Sequence, residues 1–350
     1  MKKVTWSAPS NIALIKYWGK YGLQLPQNPS ISLTLNNSVT KTTVECQLKE
    51  IKNEKIDFIL YFEDKVNIDF RPKLKTFFEN IKNEFNFLTN YKIIIKSNNT
   101  FPHSAGIASS ASSMAALSLC LCSLNELING SKGQSKKDFH QKASYISRLG
   151  SGSASRSVYP GVVSWGENAC FPQCTQEEAF EVLQDIEWIS KLQDTILIVS
   201  TKKKKVLSRQ GHSLMEKHPY AAARYLQANR NFSELVGAIT SNNFQTFAQI
   251  VEEEALSIHA LMMSSSPGYS LLSPNSFIII DKIREFREKN NVKICFTIDA
   301  GPNIHVLYPE KDKDKVIKFI NNNLIEFCEN GLIISDHVGS GPKQLESHSS

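Results

Sequence analysis

The sequence has few of the features that mark metal-bound, disulfide-rich or disordered proteins. Its seven cysteines show no repeated CxxC spacing, and Cys170 and Cys174 have no matching second pair. Neither a zinc site nor a disulfide framework is therefore expected. The 16 glycines and 13 prolines are not an enrichment, which argues against a low-complexity chain. The eight histidines form no HExxH pattern, so the corresponding zinc-protease chemistry is not predicted.

Long apolar runs are also missing. The most apolar helical candidate, residues 115–124, is about half of the roughly 20 residues that a membrane span needs, and Ser118 and Ser123 interrupt it. We therefore predict that it is a core helix. The N-terminal sequence MKKVTWSAPSNIALIKYWGK has neither an uninterrupted apolar stretch nor a small-residue cleavage pattern. We therefore predict no secretory signal and no membrane partner, and expect the scattered thiols to lie in a reducing cytoplasm.

Length and charge allow a two-domain protein with an anionic ligand. At 350 residues, 41% of them hydrophobic and 21% charged, the chain is long enough for two domains that share a cleft. The net charge of +6 suits a nucleic acid, an acidic membrane surface or a phosphorylated small molecule. The basic run at 202–205 has no interleaved aromatic residues, so we expect no nucleic-acid partner.

Periodicity predicts an α+β protein that begins with strands. The first half reads as strands 4–8, 12–18, 31–35, 41–48, 56–62, 91–96 and 161–165 and helices 72–87, 109–125 and 136–149. The second half reads as strand 195–200, a helical region 208–263 with breaks near residues 219 and 242, helix 276–289, strands 292–298 and 303–308, helix 312–327 and strand 332–336. This second order is the βαββαβ plan of a ferredoxin-like domain. We predict domains over 1–191 and 192–342, and a polar tail, 343–350, poorly ordered at its end.

A loop of small residues, PHSAGIASS, lies between a predicted strand and a long predicted helix. Its backbone N–H groups could approach a phosphate closely, aided by the unpaired donors at the helix start. A tight strand-to-helix turn capped by serine explains these residues equally well. The loop is not a Walker loop, because no GKS or GKT ends it. The loop consists of Pro102, His103, Ser104, Ala105, Gly106, Ile107, Ala108, Ser109 and Ser110, of which Ser109 or Ser110 could also bind magnesium.

Three further segments contain candidate binding or catalytic residues. Residues 150–156, GSGSASR, end in Arg156, whose guanidinium can bind a carboxylate or a phosphate; a flexible loop with a solvated arginine is the alternative. Residues 16–20, KYWGK, place two lysines around aromatic residues, which could equally be a surface strand. In TIDAGPN, residues 297–303, Asp299 ends a β-rich run before a turn. Asp299 is the best general-base candidate, although such an aspartate can simply form the turn.

In content and order these segments resemble the diphosphomevalonate decarboxylases of the GHMP kinase superfamily. The resemblance covers most of the chain, and KYWGK, SGSASR and DAGPN together are more specific than the small-residue loop alone. The matching segments are APSNIALIKYWGK (8–20), PSISLTL (29–35), FPHSAGIASSAS (101–112), GSGSASRS (150–157), TIDAGPN (297–303) and VGSGP (338–342).

The resemblance implies a GHMP kinase fold, in which an N-terminal domain like that of a ribosomal protein packs against a ferredoxin-like domain, with the active site between them. It implies that ATP, with magnesium, phosphorylates the 3-hydroxyl of mevalonate 5-diphosphate, after which phosphate and carbon dioxide leave. By the family pattern Asp299 would orient or deprotonate that hydroxyl, Lys16 would offset charge on the moving phosphoryl group, and Arg156 would hold the carboxylate. A homodimer is expected on the same basis.

The resemblance also implies where the ligands bind. The loop of residues 102–110 would hold ATP. Positions matching the family's substrate contacts are Tyr17, Trp18, Gly19, Lys20, Ser151, Gly152, Ser153, Ala154, Ser155, Ser208, Arg209 and, in a looser match, Arg71. His103, Ser104 and Ser155 depart from the commoner family residues, which leaves room for altered nucleotide or substrate preference.

Three other functions compete with this prediction. One is a relative that decarboxylates mevalonate 5-phosphate or only phosphorylates the 3-hydroxyl, and another is a different small-molecule kinase of the superfamily. A different small-molecule kinase of the superfamily should lack KYWGK and the DAGPN aspartate, and this sequence contains both. Outside enzymes, the rival is a phosphate- or RNA-binding module, whose binding would weaken steeply with salt.

Overall fold

Two β-sheets organise the chain in this computed structural model, which describes residues 1–50, 53–102, 108–130, 135–202 and 208–349. Most strands are antiparallel to their neighbours; β5 and β7 pair in parallel. The strands are β1 (Lys2–Ile15), β2 (Lys20–Tyr21), β3 (Leu25–Pro26), β4 (Ser30–Leu48), β5 (Asp57–Phe62), β6 (Lys65–Val66), β7 (Tyr91–Asn99), β8 (Val162–Trp165), β9 (Ala179–Val182), β10 (Gln193–Leu197), β11 (Cys295–Thr297), β12 (Ile304–Tyr308), β13 (Ile333–His337) and β14 (Lys343–Ser349).

Helices cover these sheets. The α-helices are α1 (Arg71–Ile81), α2 (Ser109–Asn129), α3 (Lys136–Gly150), α4 (Glu187–Ser190), α5 (Ser208–Leu214), α6 (Ala221–Thr240), α7 (Phe244–Ser264), α8 (Pro274–Asn290) and α9 (Lys313–Asn323). A short 3-10 helix, Gly152–Val158, follows α3 directly. The predicted breaks near residues 219 and 242 are confirmed, because they separate α5, α6 and α7.

The larger sheet has eight strands in the order β14, β1, β4, β7, β5, β6; in addition β8 pairs with β4, and β9 pairs with β8. Helix α2 is buried against it: the indole N–H of Trp6 on β1 donates to the hydroxyl of Ser123 on α2, at 2.9 Å. By length and composition α2 could cross a membrane, but 72% of that window is buried inside the protein. This burial supports the prediction that the segment is a core helix.

The smaller sheet confirms the predicted ferredoxin-like plan. Its four strands run in the order β11, β12, β10, β13, and all three pairs are antiparallel. Helices α8 and α9 bury Ile279, Ile283 and Ile320 in the same apolar cluster as Ile304 and Val306 of β12. The α+β class is confirmed with it.

The two halves share a continuous core. One apolar cluster contains Ile12 and Leu33 from the larger sheet together with Phe232 of α6, Phe247 of α7 and Ile196 of β10. Because buried apolar surface of this kind drives association, this cluster holds the two halves together.

The carboxylate of Asp336 connects the two sheets at the point where the sequence predicted a break between strands 31–35 and 41–48. Asp336 of β13 accepts the backbone N–H groups of Asn36, Asn37 and Ser38 at 2.8–2.9 Å. Residues 31–35 and 41–48, predicted as two strands, are therefore one strand, β4, with an irregular register opposite Pro9. Residues 4–8 and 12–15 likewise form one strand, β1, whereas residues 16–18, predicted to continue the second strand, lie beyond its end.

Residues 343–349, predicted as a polar tail that is poorly ordered at its end, form regular structure instead. They form β14, the edge strand beside β1, with pairs from Lys2 opposite Ser349 to Ser7 opposite Lys343. Lys3 adds an ion pair with Glu346 at 2.8 Å. Polar composition misled the prediction, since an edge strand on a solvated sheet is polar as well. The C-terminus thus completes the sheet of the first domain.

Removal of residues 343–350 should destabilise the protein. Cross-strand pairs contribute roughly 0.2–1 kcal/mol each, so we expect a loss of about 2 kcal/mol and a fall in Tm of about 3 °C. Thermal unfolding followed by circular dichroism measures this. Leu345→Thr is the control, because this half-exposed side chain can change while the backbone pairing remains. An unchanged Tm after truncation would mean that β14 contributes nothing to the fold.

Candidate active site

A buried ion pair joins the two domains at the end of β1. The ammonium of Lys16 lies 2.7 Å from Oδ1 of Asp299, and the lysine is 2% exposed while the aspartate side chain is 27% exposed. Lys16 immediately follows β1, and Asp299 lies in the turn between β11 and β12. The carboxylate therefore reaches the lysine on one side and solvent on the other.

The turn that carries Asp299 is fixed on several sides. His259 of α7 contacts the carbonyl of Asp299 through Nε2 at 3.1 Å. Ser276 of α8 donates to the carbonyl of Pro302 at 2.9 Å, and the amide of Asn303 exchanges two hydrogen bonds with the backbone of Ser200. Because the backbone is held at both ends, the carboxylate has a defined direction.

Arg156 is held beside this pair by residues of the first domain. It is 2% exposed, donates to Oγ of Ser30 at 2.5 Å and to Oδ1 of Asn11 at 3.3 and 3.4 Å, and its guanidinium lies 5.8 Å from the ring centre of Trp165. Burial lowers the pKa of Arg156 to about 10, while the Asp299 carboxylate raises it. The guanidinium thus keeps its charge at neutral pH.

Burial also acts on Lys16. Loss of solvent lowers the pKa of its ammonium below 10.5. The carboxylates of Asp299 and Glu254 raise this pKa, whereas the positive charge of Arg156 lowers it further. Three charged groups predicted from three separate segments therefore influence one another in one place. Such perturbed groups collect at functional sites.

An aromatic cluster lies next to the charged group. The ring of Tyr17 lies 4.8 Å from that of Trp165 and 4.4 Å from that of His212, and Trp18 lies 4.8 Å from His212. Nδ1 of His212 accepts the backbone N–H of Gly19 at 3.0 Å. Gly19 has φ +100°, and a Cβ there would collide with Tyr225, so only glycine fits. The cluster fixes the KYWGK segment against α5.

The buried hydroxyl of Tyr17 has no hydrogen-bond partner among the described residues. Gly152 lies directly beside it, since a Cβ on Gly152 would stand 2.8 Å from this hydroxyl and 2.9 Å from Trp165. An unpaired buried hydroxyl costs roughly 1–3 kcal/mol. A ligand in this position would satisfy it.

The start of α2 meets the GSGSASR segment. Oγ of Ser110 and Oγ of Ser151 are 3.4 Å apart. A cavity of about 60 Å³, open to solvent, lies beside this contact. Its lining combines hydroxyls with apolar side chains, among them Ser109, Ser110, Ser113, Leu60, Phe62 and Phe70.

The other predicted site residues have more varied positions. Lys20 lies in the β2–β3 hairpin and donates to Gln24 at 2.9 Å, and the Ser153 carbonyl accepts from Asn11 at 3.1 Å. Ala154 and Ser155 are fully buried, so their side chains contribute to the packing of the GSGSASR segment. Arg71 begins α1, where its guanidinium lies 5.7 Å from the ring centre of Phe58.

Part of the predicted site lies outside the described residues. This applies to His103, Ser104, Ala105, Gly106 and Ile107 of the small-residue loop and to the side chains of Ser208 and Arg209. The ends of that loop are described: Pro102 is half-buried, and Ala108 precedes α2 with φ 42°. A left-handed residue there turns the chain sharply into the helix.

Sequence reasoning gave no role to several residues that build the site. Asn11 and Ser30 lie within matched segments, so their position was a usable signal. Arg224 and Glu254 lie inside long helices and belong to no motif. Their only signal was charge at buried positions of α6 and α7 that are mostly apolar.

Both halves of the chain match known protein families. Residues 8–175 match the family described as "Diphosphomevalonate decarboxylase-like N-terminal domain". Residues 195–345 match that described as "Mevalonate 5-diphosphate decarboxylase C-terminal domain". The chain is 32% identical to the diphosphomevalonate decarboxylase of Candida albicans over 331 residues, 91% of this chain and 88% of the relative.

Two solved structures are similar over the whole chain. One, the mevalonate diphosphate decarboxylase of Staphylococcus aureus, is 27% identical with a TM-score of 0.82, covering 99% of this chain and 98% of the other. Another is named "MDDEF in complex with MVAPP, AMPPCP and Magnesium"; it is 26% identical, has a TM-score of 0.83 and covers 99% of both chains.

His212 should make stability depend on pH. Burial, reinforced by Lys20, lowers its pKa from 6.5 to about 3. The unfolded chain therefore binds a proton below pH 6.5 while the folded protein does not, so stability falls as pH falls. Between pH 7 and pH 5 we expect a loss of about 2 kcal/mol from this residue.

Denaturant unfolding of the wild type and of His212→Gln at both pH values measures this effect. The variant should lose about 2 kcal/mol less than the wild type between pH 7 and pH 5. His348→Gln is the control, because His348 is exposed on the edge strand, and it should behave as the wild type. Equal pH dependence in all three proteins would contradict a neutral His212.

Proposed function

The chain belongs to the diphosphomevalonate decarboxylase family, and from this premise we propose that it catalyses the ATP-dependent decarboxylation of mevalonate 5-diphosphate. The products would be isopentenyl diphosphate, ADP, phosphate and carbon dioxide. The observation that carries the proposal is the 2.7 Å contact between Lys16 and Asp299 with Arg156 held beside it, since this set suits both phosphorylation and decarboxylation.

The first step would be phosphorylation of the tertiary 3-hydroxyl. A carboxylate can orient or deprotonate a hydroxyl only within hydrogen-bond reach, and Asp299 is partly exposed and held by its turn. Lys16 would offset negative charge on the transferring phosphoryl group. Its buried position matters, because a cation acts more strongly where water is excluded.

The second step would be loss of phosphate and carbon dioxide. A tertiary hydroxide leaves poorly, whereas phosphate leaves well. As the C–O bond breaks, the tertiary carbon becomes electron-poor, and the electrons of the bond between the substrate carboxylate and its neighbouring carbon form the new double bond. Arg156 would hold that carboxylate in line. Asn11 and Ser30 fix the orientation of the Arg156 guanidinium, so the substrate carboxylate would meet N–H donors that are already oriented.

The substrate's remaining groups have candidate partners around this centre. We assign the unpaired hydroxyl of Tyr17, the ammonium of Lys20 and the segment around Ser151 and Ser153 to its diphosphate and carboxylate ends. The Tyr17 hydroxyl supports this assignment because a ligand would relieve its desolvation. Ser208, Arg209 and Arg71 remain substrate contacts by resemblance alone.

We place the nucleoside of ATP in the cavity beside the start of α2. Its mixture of aromatic and hydroxyl groups suits a purine and a ribose. The first-turn N–H groups of α2 and the loop of residues 102–110 would face the phosphates.

Magnesium fits this arrangement as an ion held mainly by phosphates. The described residues contain no group of three or more His, Cys, Asp or Glu side chains that could hold a metal. Mg²⁺ commonly takes only one or two protein oxygens and keeps the rest of its shell as water and phosphate. The hydroxyl of Ser109 or Ser110 would be that oxygen. When bound, the ion neutralises charge on the phosphates.

We also propose a homodimer and a cytoplasmic location. Resemblance supports the first. The second is supported by the seven cysteines, all of which are free, as expected in a reducing compartment.

A coupled assay with ATP and magnesium tests the function directly. With mevalonate 5-diphosphate we expect equal release of ADP and carbon dioxide. ADP without carbon dioxide would indicate a 3-kinase, and preference for mevalonate 5-phosphate would indicate the sister decarboxylase. If neither ADP nor carbon dioxide were released with any of these substrates, and the protein bound RNA in a salt-sensitive way, the enzymatic proposal would be contradicted.

Asp299→Asn should abolish both products. The amide cannot accept the hydroxyl proton, so kcat should fall roughly 1000-fold for both ADP and carbon dioxide. The control is Asp281→Asn, the same change at an exposed site on α8, and it should leave kcat unchanged. If Asp299→Asn retained ADP release and lost only carbon dioxide, its proposed place in the first step would be wrong.

A further inference from the structure

The backbone of Lys16 is supported by side chains instead of by the sheet. The pairing of β1 with β4 ends at Ile15, opposite Ile31, so the next peptide groups lack partners in the ladder. Buried N–H and C=O groups must find other partners. Here the N–H of Lys16 donates to Oε2 of Glu254 at 2.9 Å, and its carbonyl accepts from Arg224 at 3.2 Å.

Glu254 and Arg224 are themselves fully buried. Their side chains are 0% and 1% exposed, and they form two parallel hydrogen bonds of 2.6 and 2.7 Å. Oε1 of Glu254 also accepts from Asn231 at 2.9 Å. With the Lys16 N–H, the carboxylate accepts four hydrogen bonds, which is about its full capacity.

A buried ion pair of this kind is a poor way to gain stability, because apolar residues of similar volume often serve as well. What this pair provides that apolar residues could not is an acceptor for the N–H and a donor for the carbonyl of one residue. That residue is the lysine whose ammonium contacts Asp299. Asn28 donates to the same carbonyl at 3.0 Å.

We propose that Glu254, together with Arg224, is the positioning residue of this site: it fixes the backbone N–H and carbonyl of Lys16 and so aims the lysine ammonium at Asp299. It touches neither substrate nor nucleotide and acts through Lys16. The inference rests on the proposed function, because it assigns Lys16 the role given above.

Glu254 has a second effect on the same lysine, through its charge. Its carboxylate raises the pKa of Lys16 against the lowering by burial. The charged groups around Lys16 come from five elements of the structure. They are Asp299 in the β11–β12 turn, Glu254 on α7, Arg156 in the 3-10 helix, Asp194 on β10 and Arg224 on α6.

The first variant is Glu254→Gln, which keeps the shape and one acceptor but removes the charge. We expect kcat to fall about 30-fold, because small misplacements of a catalytic group are costly, while KM stays within about twofold. The alkaline limb of the kcat profile should move to lower pH by about one unit, since Lys16 would lose its proton sooner.

Arg224→Lys separates position from charge. The lysine keeps the positive charge beside Glu254 but cannot bind the carboxylate at two points and the Lys16 carbonyl together. We expect a similar fall in kcat without a shift of the alkaline limb. If Glu254→Gln does not fold, this variant decides the matter.

The matched control is Glu252→Gln on the same helix. Glu252 is also buried and pairs with Arg284 and Arg287 of α8, and none of its described contacts is with Lys16. It should lose stability as Glu254→Gln does, yet keep the wild-type kcat and pH profile. All assays are run at least about 10 °C below the lowest Tm of the set.

A readout independent of turnover separates this inference from the proposed function. The ¹⁵Nζ resonance of Lys16, assigned by its loss in Lys16→Arg, reports its pKa by NMR titration. A lower pKa in Glu254→Gln and not in Glu252→Gln supports the inference even if the wild type proves inactive on mevalonate 5-diphosphate, which would overturn only the function.

Three results would overturn the inference. The first is an active wild type with unchanged kcat and pH profile in both Glu254→Gln and Arg224→Lys. The second is an equal loss in the Glu252→Gln control. The third is failure of both positioning variants to fold, since the pair would then serve the fold and not Lys16.

Discussion

The buried charge of Lys16 is the constraint on which the site depends. An ammonium that is 2% exposed loses most of its hydration, and such a loss is tolerated only with close partners. The chain supplies one carboxylate in direct contact, Asp299, and a second one behind the backbone, Glu254. Because these come from the second half of the chain and Lys16 from the first, the site exists only when both halves are folded together.

Rigid contacts between the halves maintain this arrangement. The carboxylate of Asp336 binds three consecutive N–H groups of β4, and the C-terminal strand β14 returns to the sheet of the first domain. The chain therefore crosses between the domains more often than a division at residue 192 implies. Such interlocking suits phosphoryl transfer, where catalysis depends mainly on position and fixed charge.

Local signals in the sequence predicted the ferredoxin-like order, the core helix α2 and the three charged groups of the centre, because each depends on short-range periodicity or on a matched segment. They did not predict β14, since a polar edge strand and a polar tail have the same composition. Nor did they predict His212 or Glu254. The roles of these two arise from contacts with residues 193 and 238 positions away, and no short-range pattern encodes such a pairing.

A crystal structure of the chain with mevalonate 5-diphosphate, a non-hydrolysable ATP analogue and magnesium tests the central claim most directly. The account predicts that the 3-hydroxyl oxygen lies about 2.6–3.2 Å from the Asp299 carboxylate, with Lys16 beside the γ-phosphate and Arg156 on the substrate carboxylate. A substrate bound with its 3-hydroxyl beyond about 5 Å from both Asp299 and Lys16 would contradict it.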